Sequence, residues 1–198
     1  QNQQAPALFA KVMHYFVIFN IAIMVAIAVN IELIADIFLG RPEYKAALYV
    51  LPVLLLSKLF FGIYVNLSVW FKIKDKTIYG TYFTLIGAVI TLAGHLFLVT
   101  IPSVGYFGSA ISALVCYAVM CIMCYFKGRK VFAVPYNFKK LAIYLAIAMA
   151  IIYASNPIAL DNSWLQYGLD LVITVAFLVF LYLLEGRNFK YKSVSTDR

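Results

Sequence analysis

Six long apolar runs, separated by short polar segments, decide what this chain can fold into. They cover residues 8–29, 46–71, 78–101, 106–126, 141–154 and 164–184. A helix rises about 1.5 Å per residue, so roughly 20 apolar residues cross the hydrocarbon layer of a bilayer. Five runs meet that length. The fifth meets it only when residues 138–155 are counted, with Lys139 and Lys140 snorkelling to the headgroups. The first run can extend through residues 31–39, which place Glu32 and Asp36 at its far end. The runs are far longer than barrel strands and do not alternate with period two. In lipid every backbone polar group must be satisfied internally, which leaves the helix. The expected fold class is therefore all-α, a polytopic transmembrane helix bundle of six spans. Composition agrees: 65% of the 198 residues are hydrophobic and 12% are charged. A soluble domain lies near about 45–50% and 25%, and one of this length cannot hide so much apolar surface.

The charges fix an expected orientation. With Lys11 on one side, alternation of the spans puts Lys72, Lys74, Lys76, Lys127, Arg129, Lys130, Lys139, Lys140, Arg187, Lys190, Lys192 and Arg198 on the same side. That is 13 of the 16 Lys and Arg, against Arg41 and Lys45 opposite and Lys58 within the membrane. The positive-inside rule then makes both ends cytoplasmic. The net charge of +8 follows from these clusters and not from a nucleic-acid surface, since no aromatic–basic interleaving accompanies it. Trp70 and Trp164 fall at opposite interfaces, as belt residues do. The outer loops, residues 30–44, 102–105 and 155–163, are too short for a catalytic domain. The segment 187–198 reads as a disordered cytoplasmic tail. The chain begins at Gln1 without a signal segment, which reads as a piece of something longer.

Lys58 stands at the middle of a run with no other charge. Burying a lysine at that depth costs about 3 kcal/mol on insertion scales, and such residues usually face a cavity or a partner. Lys58, Gly62 and Asn66 follow at i, i+4 and i+8 along one helical face. As a cavity wall, Gly62 would give room while Lys58 and Asn66 offer donors to an anionic headgroup or a sugar. The plainer reading is that Lys58 pairs with a carbonyl or a neighbouring helix and fixes packing. On the next span Thr84, Ala88, Thr91 and His95 make a small, polar face. His95 there can touch substrate or relay a proton, or simply be satisfied within the bundle. Gly105, Gly108, Ser109, Ala110 and Ala113 allow close helix contact. Asp170, six residues after Trp164, reads as an interfacial or helix-end charge. Lys58, Asn66 and His95 are the candidate substrate-binding residues.

Cys121 and Cys124 form a CxxC beside Cys116. One intramembrane pair without His or acidic partners does not complete a tetrahedral metal site, so the cysteines read as small, soft packing residues. No cofactor, metal or catalytic residue is expected. HExxH, GxSxG and P-loop motifs are missing, and no carboxylates pair at mid-membrane. A carrier needs none of these, only a cavity that opens to either side.

Several stretches resemble the C-terminal half of bacterial polysaccharide or oligosaccharide flippases. They are Gly40-Arg41-Pro42-Glu43-Tyr44-Lys45-Ala46-Ala47, the helix over residues 51–70, and Trp70-Phe71-Lys72-Ile73-Lys74-Asp75-Lys76-Thr77. The clearest is Ile101-Pro102-Ser103-Val104-Gly105-Tyr106-Phe107-Gly108-Ser109-Ala110, where Pro102 ends one helix and the glycines make a tight return. Gly128-Arg129-Lys130 and Val134-Pro135-Tyr136-Asn137 also fit. The family is that of the O-antigen (Wzx-type) transporters of the MOP superfamily, which also holds the MATE exporters. The resemblance covers nearly the whole chain, in the order and spacing of motifs. It implies the last six of about fourteen helices: residues 1–130 as the end of the second lobe, 131–186 as two appended spans, 187–198 as the tail. It further implies a bacterial inner-membrane protein that moves an undecaprenyl-diphosphate-linked oligosaccharide to the periplasmic leaflet by alternating access. The partners implied are that lipid-linked oligosaccharide, membrane lipids and the missing N-terminal helices, with no nucleic acid. No binding residue is carried over from the family.

Two other classes compete. A MATE-like, cation-coupled exporter would favour an acidic mid-membrane cavity, whereas the mid-membrane charge here is positive. A membrane enzyme of polysaccharide assembly, a polymerase or acyltransferase, would show a large arginine-bearing outer loop or an interfacial catalytic histidine. A small bundle that assists another complex is the bland alternative.

Overall fold

The computed structural model describes residues 4–38, 48–101, 104–155 and 163–194. Among them the chain runs α1 (Gln4–Val29), α2 (Ile31–Phe38), α3 (Leu51–Leu67), α4 (Val69–Ile73) and α5 (Ile78–Gly94). A π-helical turn (His95–Val99) follows, then α6 (Gly105–Val131), α7 (Phe138–Ser155) and α8 (Ser163–Val194). Six segments are long and apolar enough to cross a membrane: Ala5–Val29, Leu48–Ile73, Ile78–Val99, Gly105–Val131, Phe138–Ser155 and Trp164–Glu185. The protein is an all-α, multi-pass membrane bundle.

Local chemistry sets the breaks. Pro52 sits in the first turn of α3, where its missing N–H removes no helical bond. After α4 the chain reverses through Asp75, whose φ of 52° is left-handed, a conformation that Asp adopts more easily than most residues. Gly105 opens α6 at φ 47°, again left-handed, and both its N–H and that of Val104 donate to the Ile101 carbonyl. Thus Gly105 makes the tight return; Pro102 lies outside the described residues, as do Arg41 and Lys45. The first run does not continue unbroken into residues 31–39. It turns at Asn30, whose amide caps back onto the Ala26 carbonyl at 2.9 Å, and a separate short helix follows.

α1 is the central helix. Its stripe Met13, Val17, Ile21, Met24 and Val25 is almost wholly buried, with α3 on one side and α7 and α8 on the other. α6 packs against both α3 and α5. Small residues bring these helices close. A Cβ on Gly108 would meet the Leu98 backbone carbon at 2.8 Å, and one on Gly94 would enter the Ser112 side chain. The close contact expected of the small residues at the start of α6 is therefore present. Outward positions carry Leu85, Val89, Leu92 and Leu96 on the third span and Leu171, Val172, Val175 and Leu178 on the last. Lipid, as apolar as these side chains, suits that surface.

The helix ends that carry the basic segments gather at one end of the bundle. Phe9 at the start of α1 touches Phe132 past the end of α6, with ring centres 6.2 Å apart. Lys127 lies 6.0 Å from the Tyr79 ring centre. Lys140 gives its ammonium to the Glu185 carboxylate on α8. One sequence expectation changes at this end. The polar segment expected to be a disordered tail continues α8 as far as Val194, and residues 195–198 lie outside the described chain.

Candidate functional site

Lys58 projects from α3 onto the exposed surface of the bundle, not into its core. Its Nζ lies 5.9 Å from the centre of the Tyr117 ring on α6. Phe61, one turn further along α3, meets the same ring at 5.0 Å between centroids and 50° between planes. Leu54, Phe61 and Val65 are exposed beside Lys58, so the face is apolar except for this one cation. A cation over a ring gains about 0.5–2 kcal/mol, less than the roughly 3 kcal/mol or more that a mid-membrane charge costs. The ring alone leaves Lys58 under-compensated, and this face needs water or an anion beside it.

Asn66 is half-buried and turns its amide back onto the Gly62 carbonyl of its own helix, at 3.0 Å. Gly62 does not widen a cavity. Its open side is filled by the Phe16 ring of α1, which a Cβ would strike. The face read along i, i+4 and i+8 drifts about 40° per step in a real helix, so Lys58 is outermost while Gly62 meets α1.

His95 begins the π-helical turn and is exposed. Its Nδ1–H donates to the Thr91 carbonyl at 2.8 Å, and its Nε2 shares a hydrogen bond with the Ser109 hydroxyl of α6 at 3.0 Å. A carbonyl only accepts, which places a proton on Nδ1. Both nitrogens are satisfied within the bundle, and Thr84 and Thr91 likewise donate to carbonyls of their own helix. Lys58 and His95 both reach α6, at Tyr117 and Ser109, which are eight residues or about 12 Å apart along the axis. The described contacts do not bring Lys58, Asn66 and His95 together.

No family model, curated protein or solved structure matches this chain. Its site is accordingly built from its own geometry. Two polar clusters there escaped the sequence reading. At the basic end, Lys140 Nζ, Tyr144 Oη (2.8 Å) and His14 Nε2 (3.1 Å) all converge on Glu185 Oε1 and tie α7, α8 and α1 together. At the other end Asp170 is buried. Gln166 Nε2 donates to its two oxygens at 3.2 and 3.3 Å, and Asn30, in the turn after α1, donates to Thr174 at 2.8 Å. Lys140 and Glu185 stand at the ends of their spans, whereas His14 lies about two and a half turns into its own. No sequence spacing links them.

The cysteines are packing residues. The Cys121 thiol donates to the Phe60 carbonyl at 2.9 Å, Cys116 donates to the Gly87 carbonyl at 3.3 Å, and Cys124 accepts from Trp70 Nε1 at 3.3 Å. Among the described residues no group of three or more His, Cys, Asp and Glu could hold a metal ion.

Proposed function

We propose that the chain is the C-terminal part of a transporter that carries an undecaprenyl-diphosphate-linked oligosaccharide across the bacterial inner membrane by alternating access. The observation that carries this reading is Lys58, a cation at mid-span on an exposed face with an aromatic ring as its described neighbour. A lysine there is tolerable against a water-filled path or an anionic cargo, and a diphosphate supplies the anion. The resemblance of the motifs around residues 40–47, 101–110 and 128–137 to the flippases supplies the class of cargo. In this reading both ends of the chain are cytoplasmic, and the exposed Lys58 face is turned to the path shared with the other helices of the transporter.

The test is Lys58→Ala in the transporter as the cell makes it. Surface polysaccharide should fall while expression holds, and complete repeat units should accumulate on the inner leaflet. Unchanged surface polysaccharide removes Lys58 from the mechanism. Loss of chain length or acylation, in place of inner-leaflet accumulation, would identify an enzyme of assembly instead.

A further inference from the structure

We infer that Lys58, Phe61 and Tyr117 form one binding site for an anionic glycolipid, taking the junction between a diphosphate and its first sugar. The inference rests on the transport reading and adds to it two residues and a division of labour. Lys58 and Phe61 stand at i and i+3 on α3, hence on neighbouring positions of one face. Both are exposed, and both meet the ring of Tyr117 from α6. A mid-span cation, the exposed ring of Phe61 and the half-buried ring of Tyr117 thus stand together.

The chemistry of the two parts is different. The ammonium is a compact point charge with three donors, suited to phosphate oxygens. The ring faces are electron-rich and attract positively polarised groups. A sugar presents such groups as a sheet of C–H bonds on its apolar side. The span between a diphosphate and the ring it carries is short, so a cation with aromatic rings beside it reads both at once. The site also explains its own cost: the cation–π contact holds Lys58 in place in the empty protein, and the anion supplies the missing compensation. Catalysis plays no part, and no bond is made or broken.

The experiment is equilibrium binding to the full chain in lipid nanodiscs, with three probes. These are a neutral polyprenol, the polyprenyl diphosphate, and the same diphosphate carrying one sugar. The wild type should bind the diphosphate at least about tenfold more tightly than the alcohol, with the sugar adding roughly another tenfold. Lys58→Ala should erase the first increment. Tyr117→Leu and Phe61→Leu should erase most of the second and change the first by less than about threefold, while Tyr117→Phe keeps both. Helical content and thermal midpoint identify any variant that has failed to fold, and Tyr117→Phe and Phe61→Leu keep the test alive if Tyr117→Leu does. If the leucine variants keep the sugar increment while Lys58→Ala loses the diphosphate, the aromatic half is wrong and the transport reading stands. If the wild type does not distinguish diphosphate from alcohol, the site and that reading fail together.

Discussion

Removing the Glu185 carboxylate should loosen the last two helices from the rest of the bundle, and its size can be worked from contacts. One oxygen, Oε1, receives Lys140, Tyr144 and His14 from two other helices. Charge-assisted bonds are worth about 1.5–3 kcal/mol each in soluble proteins, but interhelical bonds in membranes average nearer 0.6. The side chains of Glu185, His14 and Lys140 are 15%, 20% and 30% exposed, which places the knot where solvent screens part of the attraction. Three bonds at about 0.6–1 kcal/mol give roughly 2–3 kcal/mol for Glu185→Ala. Lys140 freed from its partner can reach the headgroups, which caps the penalty. In a chain of this size about 2–4 °C accompanies each kcal/mol, so the unfolding midpoint in detergent should fall by about 5–10 °C. Glu185→Gln keeps an acceptor for the same donors and should lose about half as much. A midpoint for Glu185→Ala within about 1 °C of wild type would show that the convergence on Oε1 carries no stability.

Three further outcomes are expected. A cysteine placed at Asp75, in the turn between α4 and α5, should react with a membrane-impermeant maleimide only from the cytoplasmic side; labelling from outside intact cells would invert the orientation. Burial pushes the Tyr136 hydroxyl, which lies between spans, from 10.0 up to about 12. An acid whose folded pKa is raised gives stability that is complete below its unfolded value and is lost as pH climbs through the folded one. Tyr136→Phe should therefore lose less stability than wild type between pH 10 and about 12, as read by circular dichroism in an alkaline titration. Finally, a double-mutant cycle between His95→Ala and Ser109→Ala should return a coupling of about 0.6 kcal/mol, the typical value for an interhelical bond in a bilayer; zero coupling would deny that His95 bridges α5 to α6.

The spans were legible because lipid imposes one rule on every residue of a segment. The limits 78–101 and 164–184 come within a few residues of Ile78–Val99 and Trp164–Glu185. The small residues opening α6 were legible for a similar reason, since close approach explains several glycines, alanines and serines over the first turns of an apolar helix. What failed was rotation. Lys58, Gly62 and Asn66 share a face on a helical wheel, yet Phe16, far away in the sequence, fills the side of Gly62. The burial of Asp170 was not legible either, because its distance from Trp164 does not say whether the side chain looks outward or is covered, as it is, beside Gln166. The Glu185 knot was invisible because its members stand 41 and 45 residues from Glu185 in two pairs and far more in the third.

The place of α1 also has a consequence in time. One of its sides is closed by α3, which follows shortly, while the other waits for α7, more than a hundred residues later. At about 5–20 residues per second, a ribosome needs roughly 5 to 20 seconds to supply that partner. During that interval His14 stands in the membrane without Glu185. The nascent chain must pass through a half-assembled stage whose open flank is the one that α7 and α8 later seal.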